Sequence, residues 1–535
     1  MVKVSVIVPV YNPGSYIEEL IDSLLGQTLP AGDAELIFVD DGSTDGSGAR
    51  LDALGTAHPH VKVRHIPNSG WPGRPRNVGL DIAAGEFVFF ADNDDWLGRE
   101  ALERLYARAL MDDADIVMGK VVGHGKAVTR GLFSENRHDL TARDAPFSLL
   151  APHKLFRRGF LSEHDIRFPE GRRRLEDHAF VVPAFFAARR IAILADYPCY
   201  HWVRRDDGEN ASARRPDWEG YFTNVREVLD VVDANAEPGD YRDRLYHRWY
   251  RGKVLSWLAT GGFLQREPED RRALCDAARA LTAERFGLHL DAQLPFALQQ
   301  RAAVLRRGSL EGLEALGRYT GAMHSTTRVR QVRGDGTWLT LNLTARLWST
   351  GDEGRMHVTR HGDRLMLDAP PFVREFLDEA ELDVTDALSD GGRQVFLKSL
   401  EDETEWDVPT ESLVRVTEED EGVLRPQVKL LARIAPTIAA GGAPLPPGEY
   451  EVRAAVAVAG FSTLSRARRE DEIFTVTVTP AGRLEHWRPP APPPPPPPPA
   501  PVRVRRAAAH AARQVPGVTP AFRRVRRVRR AVGTR

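Results

Sequence analysis

At 535 residues the chain is too long for one hydrophobic core and is expected to divide into roughly two to four domains. Its formal charge of -2 hides an asymmetry: Pro501 to Arg535 holds 11 Arg and no acid, leaving 62 basic against 75 acidic residues elsewhere. Two distant cysteines, Cys199 and Cys275, argue against a disulfide framework or a cysteine metal site and fit a reducing compartment, and no apolar run reaches the ~18 residues that cross a bilayer.

The opening MVKVSVIVPVYN has one Lys and a short apolar run broken by Pro9, so it is read as a first strand and not as a signal peptide. VSVIVPV is short and rich in β-branched residues, as a strand buried on both faces should be. In NPGSYIEELIDSLL, Ile17, Leu20, Ile21 and Leu24 recur at helical spacing, and Ser15 with Glu18 is expected to form a capping box. ELIFVDDGSTD, VKVRHI and GEFVFFADNDD follow as three further strands. Strand and helix in alternation predict a doubly wound α/β sheet, in which ligands bind beyond the carboxyl ends of the strands. Both acidic clusters, Asp40-Asp41 and Asp92 to Asp95, fall at such ends.

The helical pattern then dominates 226–322. After that the period becomes two: Leu339, Leu341, Leu343, Ala345 and Leu347 alternate with mostly polar residues, as do Tyr450, Val452, Ala454, Val456 and Val458. The expected plan is an α/β catalytic domain over 1–225, a helical linker domain over 226–322, and an all-β immunoglobulin-like sandwich over 323–485. A polyproline spacer and the Arg-rich tail complete it over 486–535.

FFADNDDWL puts three aspartates at the end of a buried strand. Either the strand end is solvated and runs into a helix cap, or the carboxylates hold a divalent metal against an anionic substrate, with Asp95 then expected as N-cap of the next helix. The surrounding motifs favour the second reading. The order VSVIVPVYN, VDDGSTD, RPRNVGLDIAAGE, FFADNDDWL, LEDHAF resembles the family 2 glycosyltransferases with the GT-A fold, over about residues 1–215. The resemblance implies that Pro9, Tyr11, Asp41 and Asn68 hold the nucleotide, that Arg76 and Asn77 lie along its diphosphate, and that Asp92 and Asp94 form the DxD motif. Asp94 would be the direct ligand of Mn2+ or Mg2+. Pro75, where a small residue often stands before Arg-Asn, is a departure.

In the same family an Asp of the Glu-Asp motif deprotonates the acceptor hydroxyl, which implies Asp177 as base and Glu176 as its alternate or helper. A helix N-terminus rich in acids is the plain alternative. HWVRRDDGENAS adds His201, Arg204, Arg205 and Ser212 as candidates for the diphosphate or the acceptor, against a surface turn with salt bridges. Histidines such as His153 and His178 read as structural or solvated.

The domain order is similar to that of the poly(ribitol-phosphate) N-acetylglucosaminyltransferases of wall teichoic acid synthesis. That likeness implies UDP-N-acetylglucosamine as donor, a polyanionic cell-wall polymer as acceptor, and assembly into homo-oligomers. Basic residues between Arg158 and Arg174 would meet the acceptor's phosphates or form a solvated face. The Arg-rich tail is expected either to lie on an anionic membrane at its inner, cytoplasmic face or to be a solubilising segment. Nucleic acid is not expected, because no aromatic residues interleave the arginines. A nucleotidyltransferase and a non-catalytic carbohydrate-binding scaffold remain as alternatives to sugar transfer.

Overall fold

The computed structural model describes residues 1–485 apart from 127, 130, 208–215, 350–355, 390 and 419–423. The polyproline spacer, the Arg-rich tail and Ser212 lie outside the described residues.

Strand β1 (Val4–Val10) is buried at every position and lies parallel to β2 (Ala34–Asp40). Helix α1 (Tyr16–Leu25) joins them and turns Ile17, Leu20, Ile21 and Leu24 inward. Its Ser15 makes no capping bond, contrary to the expected box: the Ser15 backbone is already helical at φ -78° and ψ -10°, and Glu18 reaches Arg50, 2.9 Å from Nε and 2.8 Å from Nη2. After α2 (Ser47–Ala57), β3 (Val61–His65) extends the sheet parallel to β2. Helix α3 (Gly73–Ile82) then returns the chain to β4 (Phe87–Phe90), parallel to β1 on its other side. A Cβ at Gly79 would overlap Ile7 Cγ2, so only glycine lets α3 sit this close to β1.

Asp95 does not cap a helix. The chain continues into a two-residue strand, β5 (Trp96–Leu97), and α4 (Ala101–Met111) begins only later. Strands β6 (Ile116–His124), β7 (Arg137–Leu140) and β8 (Leu155–Arg157), helices α5 (Arg158–Glu163) and α6 (Glu176–Ala187), and β9 (Ile191–Val203) complete this part. The path across the sheet is β3-β2-β1-β4-β8-β6-β9-β5, with β7 on β9. Strand β8 enters antiparallel between β4 and β6. The parallel half thus ends in a mixed half, and the acidic loop after β4 lies where one becomes the other.

Helices α7 (Trp218–Asn235) and α8 (Asp240–Trp249) open a helical region that runs to Gly321. It meets the α/β sheet region at α6: the Trp249 indole N–H donates to His178 Nδ1 at 3.1 Å, with both residues buried. The remainder is β-rich. Strand Leu339–Ser349 buries Leu341, Leu343, Ala345 and Leu347, as its period-two pattern requires. Strand Phe461–Arg469 pairs antiparallel with Gly448–Val458 and, near Ala467, parallel with Met323–Gly334, and so joins two sheets.

Candidate active site

The carboxyl ends of β1 and β2 form one side of the site. Pro9 is buried within β1, while Tyr11 is 44% exposed just past it. Asn12, in the left-handed region at φ 44°, accepts the Thr44 N–H at 2.8 Å and so ties the two strand-end loops together. The paired aspartates divide their work. Asp40 accepts from the Ser43 N–H at 3.0 Å and meets His65 Nδ1 at 2.8 Å. Asp41 accepts from the Ser69 N–H at 2.8 Å and Oγ at 2.9 Å, and Asn68 Nδ2 donates to the Asp41 carbonyl at 2.8 Å. Asp41 and Asn68 therefore pin the loop before α3 to the end of β2. Burial pushes the Asp41 carboxyl up from the ordinary range, with Ser69 opposing.

The acidic loop is suspended from several elements. Arg76 of α3, 3% exposed, places Nη2 2.7 Å from Asp92 Oδ1, and His153 Nε2 lies 3.0 Å from Asp92 Oδ2. Burial works against an ionised Asp92, but His153 and then Arg76, through charge and hydrogen bonds, hold the carboxyl far below its usual range. Burial pushes His153 down, against the pull of the Asp92 carboxylate. Asp95 is fully buried and accepts from Tyr200 Oη–H at 2.6 Å and the Val203 N–H at 2.8 Å. Tyr200 also receives the Asp92 N–H at 3.0 Å. Between them Asp94 is pushed up to about 6, first by burial and then by Asp92, against the pull of Lys126 and Arg205.

One atom of each of Asp92, Asp95 and His153 falls within 4.8 Å of the other two. Those atoms are largely committed to Arg76, Tyr200, Val203 and each other, so this cluster is a hydrogen-bonded brace. The carboxylate that a cation would relieve of repulsion is Asp94. Each Asp92 oxygen keeps a second lone pair beyond its bond to Arg76 or His153, so Asp94 with Asp92 still offers an oxygen-donor pair that suits Mn2+ or Mg2+.

Opposite the loop, α6 begins with Glu176 and Asp177. Leu175 before them has φ 60°, a left-handed backbone that costs a branched residue about 1 kcal/mol or more and aims the pair into the site. Arg76 Nη1 lies 3.4 Å from Glu176 Oε1, so one guanidinium joins the two acidic motifs. Burial, then Asp177, pushes Glu176 up. Asp177 accepts the His178 N–H at 2.9 Å and sits in the field of three cations, Lys154, Arg248 and Lys253. Lys154 is 1% exposed, and burial lowers it to about 7 although Asp177 pulls it back up. Alongside runs a cleft of about 560 Å³ lined by Trp71, Arg172, Arg173, Arg174 and Tyr221, with Asp217 and Glu219 across it. Asp217 is engaged in capping α7 through the Gly220 N–H at 3.1 Å, and Arg173 pairs with Glu227.

Two of the expected residues, Asn77 and His201, spend their side chains elsewhere. Asn77 spends its amide on the segment before α6: Nδ2 donates to the Phe168 carbonyl at 2.8 Å and to Glu170 Oε1 at 3.1 Å, and Oδ1 accepts the Phe168 N–H at 3.0 Å. His201 is a packing residue, 4% exposed, stacked on Trp96 at 3.4 Å and 2.9 Å from His124 Nε2 through Nδ1. Arg204 is exposed beside Gly125. Arg205 packs 4.6 Å over the Tyr16 ring, pairs with Asp207 and acts on Asp94. Conversely, His153, Lys154 and Tyr200 reach the acidic motifs unannounced. Only the antiparallel entry of β8 and the pairing of β9 bring them there.

The family description glycosyl transferase family 2 matches residues 5–197, and the glycosyl transferase TarS linker domain matches 218–317. A poly(ribitol-phosphate) beta-glucosyltransferase of Bacillus spizizenii is 37% identical over 44% of this chain and 37% of its own length. The chain thus spans less than half of that relative. The poly(ribitol-phosphate) beta-N-acetylglucosaminyltransferase TarP of Staphylococcus aureus is 31% identical over 43% of this chain and 72% of its own length. The crystal structure of S. aureus TarS 1-349 in complex with UDP-GlcNAc superposes with a TM-score of 0.53 at 27% identity, over 66% of this chain and 98% of that one. With the strand-end loops, the Asp92–Asp94 motif and the Glu176–Asp177 pair all on its α/β sheet, this chain belongs to glycosyl transferase family 2.

Proposed function

We propose that this chain transfers a sugar from a UDP-sugar, UDP-N-acetylglucosamine first, to a hydroxyl of a polyol-phosphate cell-wall polymer, with inversion at the anomeric carbon. The observation that carries the reading is Arg76: by contacting Asp92 and Glu176 together, it sets the nucleotide side and the base side of one cleft at a fixed separation. The names of the relatives support the sugar and the polymer.

Asp41, Asn68 and Asn12 shape the pocket for the base and ribose beyond β1 and β2, where Tyr11 offers an exposed ring. Asp94 and Asp92 would hold a divalent cation, which when bound supplies positive charge to the departing diphosphate. Arg205, next to Asp94, adds a fixed positive charge on the same side. Asp177 accepts the proton of the acceptor hydroxyl as that oxygen forms a bond to the anomeric carbon and the bond to the diphosphate breaks. UDP leaves with the electron pair. Positioned proton transfer of this kind contributes on the order of 10²–10⁴-fold. Arg172 and Arg174 line the adjoining cleft, as a phosphate-bearing acceptor requires. Asn77 supports the wall of the cleft through Phe168, while Arg204 and Ser212 stay as contacts for the diphosphate or the acceptor.

Two buried free cysteines suit a cytoplasmic setting, at the inner face of the membrane where such polymers are built. Among the described residues no helix is long and apolar enough to cross a membrane.

A second donor has a specific observation in its favour: the relative with 37% identity is named a glucosyltransferase. The deciding experiment supplies UDP-N-acetylglucosamine or UDP-glucose, with Mn2+ or with EDTA, and with poly(ribitol-phosphate) or no polymer. UDP release with one donor that needs both metal and polymer is the expected result. Pyrophosphate as product would mean a nucleotidyltransferase, and no turnover with any donor would mean a binding scaffold.

A further inference from the structure

The β-rich region after Met323 supplies no residue to the chemistry above, yet part of it packs against β6. A hairpin formed by strands Gly392–Ser399 and Glu405–Val408 lies against β6. Trp406 is 2% exposed and Lys120 of β6 4% exposed, with Lys120 Nζ 4.1 Å from the Trp406 ring centroid. Burial pushes this ammonium down to about 8, against the pull of Asp407, Glu405 and Asp402 on the same hairpin. A buried cation over an indole face is a strong contact because neither group is screened by water. The Gly131 N–H donates to Asp407 Oδ2 at 3.0 Å. At the hairpin tip, Glu403 Oε2 lies 3.7 Å from His124 Nδ1.

The chain of contacts continues to the acidic loop. The other nitrogen of His124, Nε2, is 2.9 Å from His201, and His201 stacks on Trp96, the residue after Asp95. Along the backbone, Lys120, Val121, Val122 and His124 of β6 pair with Pro198, Tyr200, His201 and Val203 of β9. Tyr200 and Val203 are the groups that hold Asp95, and Tyr200 also receives the Asp92 N–H. A single pair of strands therefore separates the hairpin from the DxD motif.

We propose that the hairpin Gly392–Val408 is a positioning element of the active site, bracing β6 and β9 so that Asp92 to Asp95 is held ready for the nucleotide. The inference rests on the glycosyltransferase reading for its purpose and on the packing alone for its mechanism. Its residues do not touch the reacting groups; they act through His124, His201 and Tyr200. Close-packed interiors transmit such constraints, and a loop ordered in advance costs less to bind.

The experiment uses the full chain, wild type and the variants Trp406→Ala and Trp406→Phe. Amide hydrogen exchange without ligand reports on the loop, and calorimetry with UDP and Mn2+ reports on the site. Trp406→Ala is expected to speed exchange over 91–97 and 199–203, and to weaken UDP binding about tenfold. Its donor KM rises by a similar factor and kcat changes less. Trp406→Phe, which keeps a ring over Lys120, restores both to within about twofold. A gentler pair, Asp402→Asn with Glu403→Gln at the tip, leaves the Trp406–Lys120 contact in place and is expected to weaken binding in the same direction. The proposal is overturned if faster exchange is confined to the β-rich region, if UDP affinity in Trp406→Ala stays within twofold, or if the Phe variant fails as badly as the Ala variant. Loop exchange that responds in a chain with no transferase activity would leave the brace standing and remove its purpose.

Discussion

Arg76 Nη2 stands 2.7 Å from Asp92 Oδ1, and the guanidinium is almost wholly enclosed, over the Phe168 ring at 5.1 Å. The same group reaches Glu176 at 3.4 Å, so its removal leaves acids without their counter-charge on both sides of the cleft. Breaking one partner out of a buried pair costs about 3–5 kcal/mol. Arg76→Met is expected to lower stability in urea by about 3 kcal/mol, and UDP release by at least about a hundredfold. Arg76→Lys should fall between, since an ammonium cannot span two carboxylates as a planar fork does. Equal activity in all three proteins would disprove the bridging role.

The cleft beside Asp177 predicts a distinct phenotype. Arg172→Ala with Arg174→Ala should raise the polymer KM about tenfold and leave the donor KM within about twofold. Because phosphate contacts are screened by salt, the variant should also lose much of the wild type's salt dependence. Initial rates at varied polymer and NaCl concentrations test this. A rise in donor KM alone would move these arginines to the nucleotide side.

Lys154 gives a pH signature. Its folded value of about 7 lies below the ordinary 10.5, first because of burial. Between those values the unfolded chain binds the proton and the folded chain does not, so this group makes stability rise with pH from about 7 to about 10. Below about 7 both states are protonated and its contribution is flat. The slope is up to about 1.4 kcal/mol per pH unit across that window. Lys154→Met should be more stable than wild type at neutral pH and less dependent on pH above it. Chemical denaturation of both proteins at several pH values reads the difference; parallel curves would contradict the assignment.

Gly79 carries the approach of α3 to β1. Gly79→Ala forces a methyl into Ile7 and should cost about 1–3 kcal/mol of stability. Since Arg76 lies one turn earlier on α3, the displacement should also reduce turnover. The double variant Gly79→Ala with Ile7→Ala, which removes the clashing Cγ2, is expected to recover part of the turnover in rate assays, while thermal melts read the stability cost.

Much of this architecture is legible in the linear chain because it is local. The β-branched runs of β1 and β2, the 3.6-residue spacing in α1 and the period-two strands after Met323 each report burial within a few residues of themselves. The acidic motifs are visible for the same reason, being strand ends. What fails is contact across distance. Asp95 resembles a helix cap until Tyr200, 105 residues on, supplies the hydroxyl that buries it. His153 reads as a structural or solvated histidine, with no partner named, until β8 threads between β4 and β6 and brings it to Asp92. His201 reads as a ligand group until β5 pairs with β9 and lays Trp96 on it. Asn77 sits in the motif beside Arg76, but its amide is drawn to Phe168, 91 residues away. In each case a pairing between distant strands or loops decides the partner, and no local period encodes it.

The most direct test is Asp177→Asn, measured twice on the full chain: UDP release in the presence of polymer and Mn2+, and calorimetric affinity for the UDP-sugar. The side chain keeps its shape and loses its capacity to accept a proton. Turnover is expected to fall by about 10²–10⁴-fold, with donor affinity within about twofold of wild type. Unchanged turnover, or donor affinity that falls in step with it, would contradict Asp177 as the base.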